Sequence, residues 1–141
     1  VIRWMRHGES TWNAEGRLQH RNPTPPLTEL GRRQARQAAE ELRGTTVDVV
    51  LSSPALRARQ TASVVADVLG LDVVVDDRLV EMDHAETVAQ VRQRVLSLVG
   101  EHPGELLAVS HGDTIAVAVE LLTGDPCSVP ANGQIHVTGT P

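Results

Sequence analysis

The feature that most constrains this chain is a repeated order: a short apolar run, a break, then a helix-length amphipathic stretch. Val1 to Met5, Val47 to Ser52, Leu71 to Val75 and Leu106 to Ser110 read as strands, and Gln134 to Thr138 as a last one. Between them, Thr28 is placed to cap a helix running to Arg43, with Gly44 as its stop. Ser53-Pro54 opens a second helix that Gly70 ends, with Pro at the favoured first helical position. Glu86 to Val99, stopped by Gly100, and Thr114 to Leu122 complete the set. Strands that are continuously apolar belong in a sheet covered on both faces. The pattern predicts one α/β domain over residues 1–141, three layers deep, with a mostly parallel central sheet.

In the first long helix, Glu29 with Arg33 and Arg36 with Glu40 form i,i+4 pairs, and Leu30, Ala38 and Leu42 are expected on the buried side. With no Phe or Tyr and only Trp4 and Trp12, the core has to be built from aliphatic side chains. All 13 cations are Arg, a bias read here as compositional, against 18 acidic residues for a net charge of −5. That balance argues against nucleic acid as a partner. Cys127 stands alone, so no internal disulfide forms, which favours a reducing compartment. No leader, apolar span or lipidation signal is seen, so the expectation is a soluble cytoplasmic protein with no membrane partner. No exposed apolar stripe marks a subunit interface.

Ligands of open α/β sheets sit beyond the carboxyl ends of the parallel strands. Three of those ends carry unusual residues: Arg6-His7-Gly8 after the first strand, Ser52-Ser53-Pro54 with Arg57 after the second, and Ser110-His111-Gly112 after the fourth. If these ends are neighbours, two imidazoles and two guanidiniums converge. Guanidinium forks bind phosphoryl oxygens bidentately, Gly lets backbone N–H groups approach, and a helix N-terminus adds positive potential. A neutral imidazole is a capable phosphoryl acceptor, and neighbouring Arg charges oppose its protonation.

Five blocks occur in order: RHGESTWN (Arg6 to Asn13), PLTELGRRQA (Pro26 to Ala35), SSPALRARQTA (Ser52 to Ala62), RLVE (Arg78 to Glu81) and SHGD (Ser110 to Asp113). Together they resemble the histidine phosphatase superfamily, the phosphoglycerate mutase-like proteins. The resemblance implies that His7 is the nucleophile that becomes phosphohistidine. It implies that Arg6, Arg57 and His111 hold the phosphoryl oxygens, helped by Asn13 and the Gly112 backbone. Glu81 corresponds to the acid that protonates the leaving oxygen and then serves as base toward water. Gln19 and His20 fall where family members line the substrate mouth, with His20 where many have Gly. No metal or cofactor is implied, and the expected substrate is a small phosphorylated metabolite.

The chain departs from the family after Glu81. Relatives often carry a Gly- and Trp-containing insert there, whereas Met82, Asp83 and His84 lead almost at once into helix. Asp83 or His84 thus stands beside Glu81 as a proton donor. Alone, each of these histidines and arginines would be an ordinary structural or surface residue; their order and context favour chemistry. His84, His102 and His136 lack the spacing of a metal site. The expected activity is metal-independent hydrolysis of a phosphomonoester. The alternatives are a phosphoglycerate mutase-type transfer and a signalling phosphatase acting on phosphohistidine proteins.

Overall fold

The computed structural model describes residues 1–141, and in it the apolar runs become a five-stranded sheet. Strands β1 (Ile2–Arg6), β2 (Val49–Ser52), β3 (Val73–Val75), β4 (Leu106–Ser110) and β5 (Ile135–Thr138) lie in the order β3-β2-β4-β1-β5. The first four are parallel and β5 runs antiparallel to β1. Helices α1 (Thr11–Ala14), α2 (Glu29–Leu42), α3 (Leu56–Leu69), α4 (Val88–Glu101) and α5 (Gly112–Thr123) fill the connections, with a 3-10 turn at Asp77–Leu79. No helix is long and apolar enough to cross a membrane.

Successive strand side chains point to opposite faces, so each apolar run feeds two cores. Ile2, Trp4, Leu51, Leu106 and Ala108 pack with α4 and α5 residues such as Val91, Val95, Leu98 and Ile115. Met5, Val50, Leu107 and Val109 pack on the other face with α2 and α3. There the seam is small: Ala38 and Ala39 share a cluster with Ala58, Ala62 and Ala66. Alanine lets the two helices approach closely, which suits a core without Phe or Tyr. The buried Trp4 ring spends its indole N–H on Thr138 Oγ1 at 3.1 Å.

Two local expectations are corrected. Leu30 is 41% exposed; the buried stripe of α2 is Gly31, Ala35, Ala38, Ala39 and Leu42. Leu30 lies one residue, about 100°, ahead of that stripe. Pro54 is not the first helical residue, because α3 begins at Leu56 with Ala55 as its cap. The turn before it is held by the Ser53 hydroxyl accepting from Ala55 N–H, and the Leu56 N–H goes to Pro23 O. Strand and helix ends otherwise shift by a few residues; α5 begins at Gly112, with His111 as its cap.

Register decides the site. Arg6 of β1 is level with Ser110 of β4, and Ser52 of β2 with Val109. The residues that follow these strands, His7, Ser53 and His111, therefore emerge at the same edge of the sheet.

Candidate active site

His7 leaves β1 in a turn that is tightly specified. Its backbone N–H bonds Ser110 O at 3.1 Å, and the next N–H, of Gly8, donates to Thr61 Oγ1 at 3.0 Å. Gly8 passes so close to Gly31 that a Cβ on either would overlap the neighbouring backbone. The glycine in each of two separate sequence blocks is therefore explained by one backbone crossing, Gly8 against Gly31 O and Gly31 against Glu9 O.

The ring of His7 is 2% exposed and its Nδ1 lies 2.7 Å from Gly8 O. A carbonyl oxygen can only accept, so Nδ1 carries the proton and Nε2 keeps its lone pair. Burial is the main reason that its pKa falls from 6.5 to about 3; the bond to Gly8 opposes the fall, and Arg57 and Arg6 assist it. Arginine charge, emphasised from sequence, is thus secondary to exclusion of water. His111 meets His7 edge-on, with centroids 5.2 Å apart. Its pKa too is held well below the usual value, by burial first and then by His7 and the arginines. Ser53 Oγ sits 2.8 Å from His111 Nε2. Arg57 Nη2, which can only donate, lies 3.5 Å from Nδ1, so Nδ1 accepts and Nε2 carries the proton that goes to the Ser53 hydroxyl oxygen.

Arg57 is fully buried at the start of α3. Its Nη1 donates to Asn22 O at 2.6 Å, and its Nη2 reaches His20 O at 3.2 Å and Glu81 Oε2 at 3.4 Å. Arg6 Nη1 donates to Pro130 O at 2.8 Å. The Nε atoms of both arginines are buried without a partner. Two unpaired guanidinium donors are costly unless an anion accepts from them. Gly112, at the N-terminus of α5, lies beside Arg6: a Cβ there would stand 3.5 Å from Arg6 Nε and 2.5 Å from Val129 Cγ1.

Glu81 is partly buried, and its pKa rises to about 7; burial is the first cause and Asp113 the second, with Arg57, Arg6 and Arg21 opposing. A carboxyl poised near neutral pH can give and take a proton. The neighbouring Asp83 and His84 pair with each other at 3.2 Å, and the His84 side chain is 86% exposed. Of the three donors left open by the sequence, only Glu81 also contacts Arg57.

The remaining expected residues are placed less directly. Asn13 Oδ1 accepts from Ser10 N–H and from Asn132 Nδ2, and Asn132 Nδ2 also reaches His7 O at 3.1 Å. Asn13 therefore reaches the nucleophile through Asn132. Gln19 is buried and accepts from the Ser10 hydroxyl, so its carboxamide holds the loop together instead of facing solvent. His20 is exposed, takes a positive φ of 50°, and contributes its carbonyl to Arg57. Its ring stands 6.2 Å from that of His84 across the mouth. A small cavity of about 50 Å³ is lined by Arg21, Ser53, Arg57, Glu81 and His111 among others. Larger recesses exist, including one between α2 and the turn before β5, but none of them is lined by His7 or His111, and the small cavity reaches His111 alone of the two. Sequence reasoning missed Ser53, Thr61, Asn132 and Asp113 as supporting residues, although the first two lie inside the SSPALRARQTA block and Asp113 in SHGD.

The comparisons agree with this geometry. A stretch of 79 residues is 44% identical to a probable phosphoglycerate mutase GpmB of Enterobacter sp. (strain 638), covering 56% of this chain and 36% of that protein. The match thus spans little more than a third of the relative's length. The fold is similar to that of mycobacterial glucosyl-3-phosphoglycerate phosphatase, with a TM-score of 0.78 and 28% identity over 89% of this chain and 82% of that one. It is also similar to the protein histidine phosphatase SixA in a tungstate complex, with a TM-score of 0.69 and 29% identity over 93% and 81% of the two chains. The model of the histidine phosphatase superfamily (branch 1) matches residues 2–87, more than half of the sequence. With that match, a mostly parallel three-layer fold and paired imidazoles among arginines, the chain belongs to the histidine phosphatase superfamily.

Proposed function

We propose that the protein hydrolyses phosphomonoesters through a phosphohistidine on His7, without a metal. One observation carries the reading: a dry, neutral His7 whose proton is committed to Gly8 O, beside two buried guanidinium Nε–H donors that lack a partner. The phosphoryl group takes those donors and the amide end of α5, with the His111 ring beside it. His7 Nε2 attacks phosphorus as the ester P–O bond breaks, and the leaving oxygen takes the proton of Glu81. The resulting carboxylate then removes a proton from water, whose oxygen attacks phosphorus as the P–N bond breaks. Inorganic phosphate leaves, with His7 neutral and Glu81 protonated again. The work is positioning and charge stabilisation, which is what phosphoryl transfer chiefly requires.

The test is turnover of a panel of small phosphorylated metabolites, with and without chelator. Chelator-resistant release of phosphate, lost in His7→Ala with the far-ultraviolet spectrum unchanged, is the expected result. Unchanged turnover in that variant would end the proposal. A second reading, phosphatase activity toward a phosphohistidine protein, is favoured by the likeness to SixA and by the brief Glu81-to-Thr87 connection that precedes α4. Release of phosphate from a phosphorylated phosphotransfer domain, undiminished in Glu81→Gln, would support that reading, because an imidazole leaving group needs less protonation than an alkoxide. A mutase has to shield phosphohistidine from water; comparing transfer with hydrolysis on phosphoglycerate ranks it.

A further inference from the structure

The segment that carries Glu81 is suspended by side chains. The carbonyls of Arg78, Leu79, Val80 and Glu81 accept from Arg94 Nη1 (2.6 Å), Ser110 Oγ (2.6 Å), Thr114 Oγ1 (2.9 Å) and Arg21 Nε (2.8 Å) respectively. Beyond the 3-10 turn, whose last bonds run from the Leu79 and Val80 N–H groups to Asp76 O and Asp77 O, no strand or helix holds the Glu81 backbone. The two arginines in that set converge on one carboxylate. Glu86 Oε1 accepts from Arg21 Nη2 at 3.1 Å and Arg94 Nη2 at 3.0 Å, and its Oε2 from Arg94 Nε at 2.9 Å. The Asp83 N–H adds a contact to Oε1 at 3.3 Å. Glu86 and Arg94 side chains are only 14% and 13% exposed, so this pair is poorly screened by water.

We propose that Glu86 is a positioning residue which, through Arg21 and Arg94, holds the Glu81 carboxyl where it can exchange a proton with the reacting oxygen. The inference rests on the role given to Glu81 above. Geometry makes the case: Arg21 joins the mouth loop to the Glu81 carbonyl, Arg94 joins α4 to the Arg78 carbonyl, and Glu86 orients both guanidiniums. Because a proton donor must lie within hydrogen-bond reach of its acceptor, a slackened segment loses rate without losing substrate affinity.

The experiment compares kcat/KM, which reports phosphorylation of His7, for an alkyl phosphate and for a nitrophenyl phosphate. The alkoxide needs Glu81's proton and the nitrophenolate does not. Glu86→Gln is expected to lower the alkyl value by about tenfold, a displacement-sized loss smaller than deletion of the acid itself. The nitrophenyl value should change less than about twofold. In the Glu81→Gln background, Glu86→Gln should have no further effect on the alkyl ester, since it acts through the missing group. Equal losses on both substrates, or additive losses in the double variant, would overturn the proposal. If Glu81→Gln alone leaves the alkyl ester unaffected, the acid role fails, and the positioning role fails with it. Should Glu86→Gln fold poorly, Arg94→Lys, which keeps the charge but cannot serve Glu86 and the Arg78 carbonyl together, tests the same link and should show the same alkyl-selective loss.

Discussion

Replacing His7 by Gln should make the fold more resistant to acid while removing its chemistry. The magnitude follows from the ring's environment. An unfolded His7 binds a proton below about 6.5, whereas in the fold burial lowers that value to about 3. Between these limits the unfolded chain holds more protons than the native one, so stability is fully present above the higher value and drains away as pH falls toward the lower. Integrating from pH 7 to pH 4 gives a loss of about 3 kcal/mol attributable to His7. Gln keeps an N–H for the Gly8 carbonyl and has nothing to protonate. The buried Trp4 supplies a fluorescence probe for urea denaturation at a series of pH values in phosphate-free buffers. His111 is present in both proteins, and burial, the first cause of its lowered pKa, is kept in the variant. The unfolding free energy of wild type minus that of His7→Gln should fall by about 3 kcal/mol as pH drops from 7 to 4. A difference that stays level across this window would refute a dehydrated neutral nucleophile.

Other outcomes follow from the same geometry. For an alkyl phosphate, kcat/KM should decline as pH rises through about 7, where Glu81 loses its proton. Glu81→Gln should abolish that decline and lower the rate by roughly 10²–10⁴-fold, read from a pH–rate profile. Thr61→Val leaves the Gly8 N–H without its acceptor, so thermal denaturation should show a loss of about 1–3 kcal/mol. Gly8→Ala forces a methyl group into Gly31's carbonyl; the expected cost is about 1–3 kcal/mol, with a disordered nucleophile turn seen as lost inorganic phosphate binding in calorimetry. Arg57→Lys cannot serve the carbonyls of His20 and Asn22 together with a phosphoryl group, so phosphate affinity should weaken about tenfold or more.

What the chain announces by itself is local. Three of the apolar runs end abruptly in His, Ser or Gly residues, and such ends in an α/β protein face one edge, so Arg6, His7, Arg57 and His111 were legible in order. The helices were legible from their caps, Thr28 and Gly70 among them, because capping is satisfied within a few residues. The phase of α2 was legible at Ala38 and Leu42 but not at Leu30. Leu30 looked buried by hydropathy, but the stripe of Gly31, Ala35 and Ala38 faces the core, and only the packing of α3 against it makes small residues the inward ones.

Tertiary structure alone decided the chemistry of each group. That burial outweighs arginine charge at His7, and that Glu81 sits near neutrality, depends on which atoms exclude water around them. The supports Ser53 for His111, Thr61 for Gly8 and Asn132 for His7 join residues far apart in the chain, as does the Arg21–Glu86–Arg94 triad. A sequence encodes which groups are available and where regular structure begins and ends, since those preferences act over neighbouring residues. Proton affinity, donor pairing and cavity shape are set by dielectric and distance, and these exist only once the sheet has brought its strand ends level.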